Sequence, residues 1–459
     1  MKKTKVICTI GPSSITRNIL KEMYLAGMNC ARINTAHGDF PQYLRIIKNV
    51  RSISRVPIMI DIKGPEVRVL VPSPRRVESG ERFKVRFKAS GGIRFTYDFY
   101  GEVEVGDEIL FSNGNIRTRI ISKSKGQMVL ESMNNGTIED KKGVNIPGRN
   151  LKVPGLSEKD KRAISFAIKN KAEFIAISFV RNRKDVLHVK KLIGDTELGV
   201  ISKIENFSGV ENIPEIIDES DGIMIARGDL GVEIPHQRIP LIQKEIIRQC
   251  NQRGRIAVTA TQMLDSMISS PTPTRAETSD VANAVIDGTD AVMLSGETAI
   301  GRYPIESVRT IAGIAKEVEN SVPNRVKMTG YFNISDTISK SIHHITENMP
   351  LDKIVPITRS GYTARMIARF RLDMPIIAVT DDPETHGQLE LVFGVKPVLI
   401  KRIPKRKRVL GVAEQLHSKG IIGKGETVLF TAGVRTSKKH ASNLIEIHKI
   451  QELLKFSSS

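Results

Sequence analysis

Eight short apolar runs, most of them separated by amphipathic helical patterns, constrain this chain more than any other feature. They are Lys5–Ile10, Asn29–Asn34, Pro57–Ile62, Glu173–Phe179, Gly199–Ile204, Gly222–Ala226, Ile256–Ala260 and Ala291–Leu294. A short apolar run that ends in charge is how a buried parallel strand looks when its carboxyl end carries chemistry. Between the runs, stretches such as Asp160–Lys169, Arg183–Leu192 and Pro240–Arg253 show helical amphipathicity. Strand–helix alternation repeated eight times predicts an α/β fold, a (β/α)8 TIM barrel. Such barrels work at the carboxyl ends of their strands, where Arg32, Asn34, Asp61, Lys63, Lys203, Glu205, Asp229, Thr261, Ser295 and Glu297 fall.

The rhythm breaks once. Residues 69–149 turn to short alternating strands divided by Ser79-Gly80-Glu81, Gly91-Gly92, Val105-Gly106-Asp107 and Asn113-Gly114, which are turn signals. This predicts a small β-barrel inserted at the catalytic rim, placed to act as a lid. The catalytic barrel is then 1–68 plus 150–325. From 326 to 459 a second α/β pattern runs, with strands expected at Lys353–Thr358, Pro375–Thr380, Lys396–Ile400 and Thr427–Ala432. It reads as a separate open-sheet domain.

The chemistry concentrates in Val200-Ile201-Ser202-Lys203-Ile204-Glu205-Asn206 and Ile223-Met224-Ile225-Ala226-Arg227-Gly228-Asp229. Strand side chains alternate faces, so Lys203 and Glu205 share one. If the two runs are neighbouring strands, they lie ~5 Å apart, and Glu205 and Asp229 can clamp one hard cation beside Lys203. Such a lysine suits stabilisation of a phosphoryl group in transit. The plainer alternative is a structural ion pair at a strand end.

The net charge of +20 admits nucleic acid or anionic metabolites as partners. Aromatic residues are only 5% of the chain and do not alternate with basic ones, which argues against a base-stacking platform. The densest basic run, Lys401-Arg402-Ile403-Pro404-Lys405-Arg406-Lys407-Arg408, reads as a solvated face. Three scattered cysteines, Cys8, Cys30 and Cys250, form neither a disulfide framework nor a zinc site. No apolar run reaches membrane-spanning length, and Met1-Lys2-Lys3-Thr4-Lys5-Val6 enters a strand with no room for a signal peptide. A cytoplasmic location is expected.

With these residues assembled, the chain resembles the pyruvate kinase family along nearly its whole length. The resemblance is carried by Lys5 to Ser14, Arg32-Ile33-Asn34-Thr35-Ala36-His37-Gly38 and Asp61-Ile62-Lys63-Gly64-Pro65-Glu66-Val67-Arg68. It continues through Lys142-Gly143-Val144-Asn145-Ile146-Pro147-Gly148, Ser202 to Asn206, Ser220 to Pro235, Ala260 to Met267 and Pro273 to Pro304. It implies transfer of the phosphoryl group of phosphoenolpyruvate to ADP, giving pyruvate and ATP, by a homotetramer.

The resemblance also implies roles. Glu205 and Asp229 would bind Mg²⁺ or Mn²⁺, and Lys203 would contact the phosphoryl group. The backbone of Ala226, Arg227 and Gly228 would meet the substrate carboxylate. Thr261 would lie near the carbon to be protonated; its alternative is to cap a helix beginning at Gln262. Arg32 would bridge phosphate oxygens of both substrates, with His37 and Lys142 on the nucleotide side. A K⁺ site would draw on Asn34, Asp61 and the carbonyl of Ile62. Here Ala36 stands where the family has serine and Ile62 where it has threonine, while Glu66 matches the acidic form tied to K⁺ dependence. In the lid, Asn113 replaces the usual aspartate.

In the last domain, Thr358, Arg359, Ser360, Gly361 and Thr363 would hold a phosphorylated effector, unless they merely cap a helix. The partner loop Val434-Arg435-Thr436-Ser437-Lys438-Lys439-His440 is basic, not glycine-rich, so an effector other than fructose 1,6-bisphosphate is expected. The rivals are a metal-dependent aldolase or lyase on the same barrel, and a basic nucleic-acid-binding protein.

Overall fold

The computed structural model describes residues 2–64, 66–87, 91–112, 114–149, 151–153, 155–321, 333–404, 406–433 and 443–456. Asn113, Lys405 and the basic loop 434–440 lie outside the described residues.

Eight parallel strands close a barrel in simple chain order. They are Lys5–Thr9, Cys30–Asn34, Ile58–Ile62, Phe174–Ile177, Gly199–Ile204, Gly222–Ala226, Ile256–Ala260 and Ala291–Leu294. Four match the expected bounds and the others are shorter by one to three residues at their ends, where the backbone leaves the ladder to enter loops. Parity sorts their side chains. Val200 and Ile204 face the outer helices with Val6, Ile33 and Ile60. Ile7, Cys30, Met59, Ala176, Ile201 and Met224 fill the barrel interior. That second cluster runs on through Ala364, Ile367 and Phe370, so the carboxy-terminal domain seals the barrel floor. Lys5, 3% exposed, donates to the Val395 carbonyl at 2.6 Å across the same junction. The upper rim is left for chemistry.

The segment between the third and fourth barrel strands forms a five-stranded antiparallel sheet and two two-stranded ribbons over their own core, including Phe83, Phe99 and Phe111. The carboxy-terminal sheet has five strands, one more than expected. The missed strand, Leu444–Lys449, pairs antiparallel on the edge with Thr427–Ala432. Its half-exposed residues, with Glu446, His448 and Lys449, carry no buried-strand signature.

Return to the barrel from the insert is fixed by Arg181. Its guanidinium donates to the carbonyls of Leu151 (3.1 Å) and Val153 (3.0 Å), and Asp185 holds its other edge at 3.0 Å. Just beyond, Ser157 caps the helix Glu158–Lys169 and Asp160 reaches back to complete a capping box. Asp160 Oδ1 also accepts from the backbone N–H of Lys63 at 3.1 Å, tying that helix start to the loop after the third strand. Gly64 in that loop has φ +67°, and a Cβ there would sit 2.5 Å from the Ser178 carbonyl, so only glycine fits.

Candidate active site

The interior-facing parity of the barrel strands continues past the apolar layer into a polar one. Arg32 follows Cys30, Asp61 follows Met59, Lys203 follows Ile201, and Ser178 follows Ala176. These side chains meet. Asp61 accepts from Arg32 Nε at 2.7 Å and from Lys203 Nζ at 3.2 Å. Lys203 Nζ also donates to Ser178 Oγ at 2.7 Å and lies 2.9 Å from Glu205 Oε1. The Gly199–Ile204 and Gly222–Ala226 strands are parallel neighbours, as the spacing argument required.

Burial sets the electrostatics. Asp61 is 1% exposed. Desolvation pushes its carboxyl up, but Arg32 and Lys203 outweigh this and hold it below the usual carboxylate range. Desolvation works against the charge of Lys203 too, yet Asp61 and Glu205 raise it, so it stays an ammonium. Glu205 is pushed up to about 7, chiefly by burial, with Lys203 opposing and Asp229 adding repulsion. Asp229 is raised mainly by burial. Two desolvated carboxylates that repel each other beside a fixed ammonium are short of positive charge.

That shortage is the fit test for a divalent cation. Among the described residues no third acid or histidine completes an all-protein metal cage. Mg²⁺ does not need one, because it is commonly held by one or two carboxylates with waters and phosphates. Glu205 and Asp229 therefore fit it. The strand ends at Ala226, as expected, and Asp229 lies in the first turn of the helix Arg227–Glu233 that follows it.

The K⁺ set is one oxygen short. Asp61 also serves Arg32 and Lys203, and the Ile62 carbonyl also accepts from Ser178 Oγ at 2.8 Å. Asn34 Oδ1 accepts from the Ala36 N–H at 3.0 Å, and Ala36 itself offers no side-chain oxygen. We derive no step through K⁺.

Thr261 does not cap a helix. Its hydroxyl accepts from the Gly228 N–H at 2.7 Å. The expectation that Gly228 N–H is open to a substrate carboxylate is thereby corrected: it already has a partner. Thr261 and Gln262 have φ of +69° and +54°. A β-branched residue there is an outlier costing about 1–3 kcal/mol, and such strain collects at functional sites. Arg227 pins it: one end of its guanidinium donates to the Thr261 carbonyl at 2.9 Å, and the other to Asp280 at 2.7 Å. A lysine cannot make both bonds. Arg227→Lys is therefore expected to lower kcat by about 10–100-fold with a smaller change in KM, measured by steady-state kinetics.

The other expected residues are more scattered. Arg32 uses Nε on Asp61 and Nη1 on Thr9 Oγ1 at 2.8 Å, leaving its second terminal nitrogen without a bond among the described residues. His37 is exposed; its carbonyl accepts from Tyr43 and its N–H donates to the Asn34 carbonyl at 3.4 Å. Lys142 is exposed in the insert, 3.0 Å from Glu139. Neither touches the Lys203 cluster. Glu297, expected at the rim, is 1% exposed and accepts from the N–H groups of Leu264 (3.1 Å) and Ser295 (2.7 Å), a structural role. Ser178 escaped the sequence reading, although its place two residues after Ala176 was a parity signal.

A cleft of about 80 Å³ lies between insert and barrel, lined by Glu66, Arg149, Arg181 and Glu233 among others. Glu233 Oε1 accepts from Asn145 Nδ2 of the insert at 3.0 Å. Desolvation pushes Glu233 up to about 7. A raised carboxyl favours the protonated form in the fold, so its stability contribution is complete below about pH 4.5 and is lost as pH rises through 7. Glu233→Gln is expected to be more stable than the parent above pH 7, by about 2 kcal/mol, and equal to it near pH 4. Urea unfolding at the two pH values measures this.

The comparisons with known proteins agree with this geometry. Residues 1–308 match the family model for the pyruvate kinase barrel domain, and residues 336–448 that for the pyruvate kinase alpha/beta domain. The chain belongs to the pyruvate kinase family. It is 41% identical over 477 residues to the pyruvate kinase of Bacillus licheniformis, covering 99% of this chain and 81% of the relative. The Geobacillus stearothermophilus pyruvate kinase is likewise 41% identical, over 476 residues, with 99% and 81% covered. A crystal structure of a Cryptosporidium parvum pyruvate kinase superposes with a TM-score of 0.91 at 34% identity, covering 97% of this chain and 96% of that one. The protein is thus a phosphotransferase of the pyruvate kinase family.

Proposed function

We propose that the rim cluster moves the phosphoryl group of phosphoenolpyruvate to ADP and then lets the enolate take a proton, yielding pyruvate and ATP. The observation that carries this reading is the Arg32–Asp61–Lys203–Glu205 network, with Asp229 in the first turn of the next helix, at the mouth of the barrel. Phosphoryl transfer depends on fixed positive charge more than on covalent chemistry. Lys203 supplies it at the transferring group, held by Asp61 and Ser178. Arg32 supplies more through its remaining nitrogen. Glu205 and Asp229 would hold Mg²⁺ or Mn²⁺, which when bound adds Lewis-acid charge at the phosphoryl and enolate oxygens. A second divalent ion would come with the nucleotide. Thr261 touches the Gly228 backbone beside this pocket and is placed to pass a proton through water. Ala226, Arg227 and Asp229 border the substrate position, and His37 and Lys142 would meet ADP if the insert closes.

Members of the family generally depend on Mg²⁺ and K⁺. For this chain we propose activity without K⁺, since Ala36 adds no side-chain oxygen to the expected ligands Asn34, Asp61 and Ile62. A coupled assay of ATP formation from phosphoenolpyruvate, with Mg²⁺ present or chelated and Na⁺ replacing K⁺, tests both statements. Mg²⁺-dependent ATP formation also separates this reading from an aldolase or lyase. Salt-sensitive DNA retention without phosphotransfer would instead favour nucleic-acid binding. Among the described residues no helix is long and apolar enough to cross a membrane. Cys8, Cys30 and Cys250 are free and buried, consistent with a cytoplasmic setting. Division into 1–68 plus 150–325, 69–149 and 326–459, and a homotetramer, complete the proposal.

The segment Thr358–Thr363 is read as an effector site. The capping alternative loses its support, because Gly361, at φ +71°, is the helix N-cap and no side chain caps it. Arg359 instead faces Asp381 at 3.5 Å. Activity titrated with sugar phosphates, nucleotides and phosphoglycerates is expected to respond to a phosphorylated compound other than fructose 1,6-bisphosphate. A flat response to all of them would refute the site.

A further inference from the structure

Where the carboxy-terminal domain meets the barrel floor, four arginines surround one small pocket: Arg255, Arg365, Arg369 and Arg371, with Asn251 and Asp290. The junction is tight, since a Cβ on Gly254 would lie 2.8 Å from Met366 Sδ. Three of the four guanidiniums have acidic partners. Arg371, 2% exposed, takes Asp290 at 2.8 Å and saturates its other nitrogens on Gly288, Asn251 and Ala368. Arg369 pairs with Asp336 at 2.9 Å, yet its Nε is buried with no partner. Arg255 lies 3.8 Å from Asp221 and donates to the Asp218 carbonyl at 2.9 Å.

Arg365 is the exception. Among the described residues its one hydrogen bond is to the Ser360 carbonyl at 3.2 Å, and no carboxylate lies within ion-pair distance of it. Desolvation lowers its pKa; Asp221 opposes this without touching it, and Arg255 adds repulsion. A half-buried charge without a close counter-ion is costly, and proteins resolve this by pairing it. The pocket has a volume of about 10 Å³, room for one water-sized occupant. That space suits a monatomic anion better than an oxyanion.

We propose that this pocket binds a single monatomic anion of the chloride class, which neutralises Arg365 and accepts from the unpaired Nε of Arg369. The ion would sit between the barrel floor and the Thr358–Thr363 segment, through the Arg365–Ser360 bond. Nothing in this inference depends on the roles assigned to the rim residues.

Two measurements on the full chain test it. Crystals grown in sodium bromide, with data collected at the bromine edge, should show an anomalous peak beside the Arg365 guanidinium. Thermal unfolding in sodium chloride should have a midpoint about 2 °C or more above that in sodium gluconate at equal ionic strength. Arg365→Met should abolish both the peak and the difference. Absence of a bromide peak at Arg365 in the parent chain overturns the proposal, whether or not the variant folds. So does an Arg365→Met protein that keeps the full chloride difference. A midpoint raised by inorganic phosphate but not by chloride would also overturn it, because the occupant would then be an oxyanion.

Discussion

Lys203→Met is expected to lower turnover by about 10³-fold or more while KM for phosphoenolpyruvate changes little. Methionine matches the lysine stem in bulk, so the apolar layer beneath, Ile201 and its neighbours, is undisturbed. What disappears is the ammonium that Asp61 and Ser178 aim into the rim from 3.2 and 2.7 Å. A charge needed most when the phosphoryl group is between its two partners acts on the transition state more than on the ground state. The loss should therefore fall on kcat. Steady-state kinetics and a separate substrate-binding titration measure the two effects; turnover within tenfold of the parent would refute the role.

Asp61→Ala should be the most destabilising single change at the rim, by about 3–5 kcal/mol. Asp61 is the acid shared by Arg32 and Lys203, and its removal leaves two cations facing each other in a buried layer. Glu205 still neutralises Lys203, at 2.9 Å, but Arg32 keeps only the Thr9 hydroxyl. Denaturant unfolding of the two proteins gives the difference. The rescue variant Asp61→Asn should recover part of it, because an amide oxygen can still accept from Arg32 Nε, whereas the lost charge cannot be restored. If Asp61→Ala unfolds at the parent midpoint, the shared-acid account fails.

The parts of the site that were legible in the sequence are those governed by strand parity. Lys203 and Glu205 fall on one face because they are two apart, and the buried run around them marked a barrel strand. The same rule reached Arg32 and Asp61. It would also have reached Ser178, whose position after Phe174 and Ala176 differs only in carrying a small, quiet hydroxyl. Asp229 is legible only as a charge just past the strand Gly222–Ala226; the two-turn helix Arg227–Glu233 that carries it gives no clear start signal in Arg227-Gly228. The backbone at Thr261 and Gln262 was not legible at all. A threonine gives no hint of left-handed φ, since its local preference opposes it and the contacts of Arg227 impose it. The edge strand Leu444–Lys449 is illegible for a related reason: its position needs no apolar pattern.

Arg181 has a mechanical consequence for the lid. Two chain crossings join the insert to the barrel, near residue 68 and near residue 151; Arg181 and Asp185 bolt the second to a barrel helix. Any swing of the insert would be smallest at that crossing and largest at the edge farthest from it.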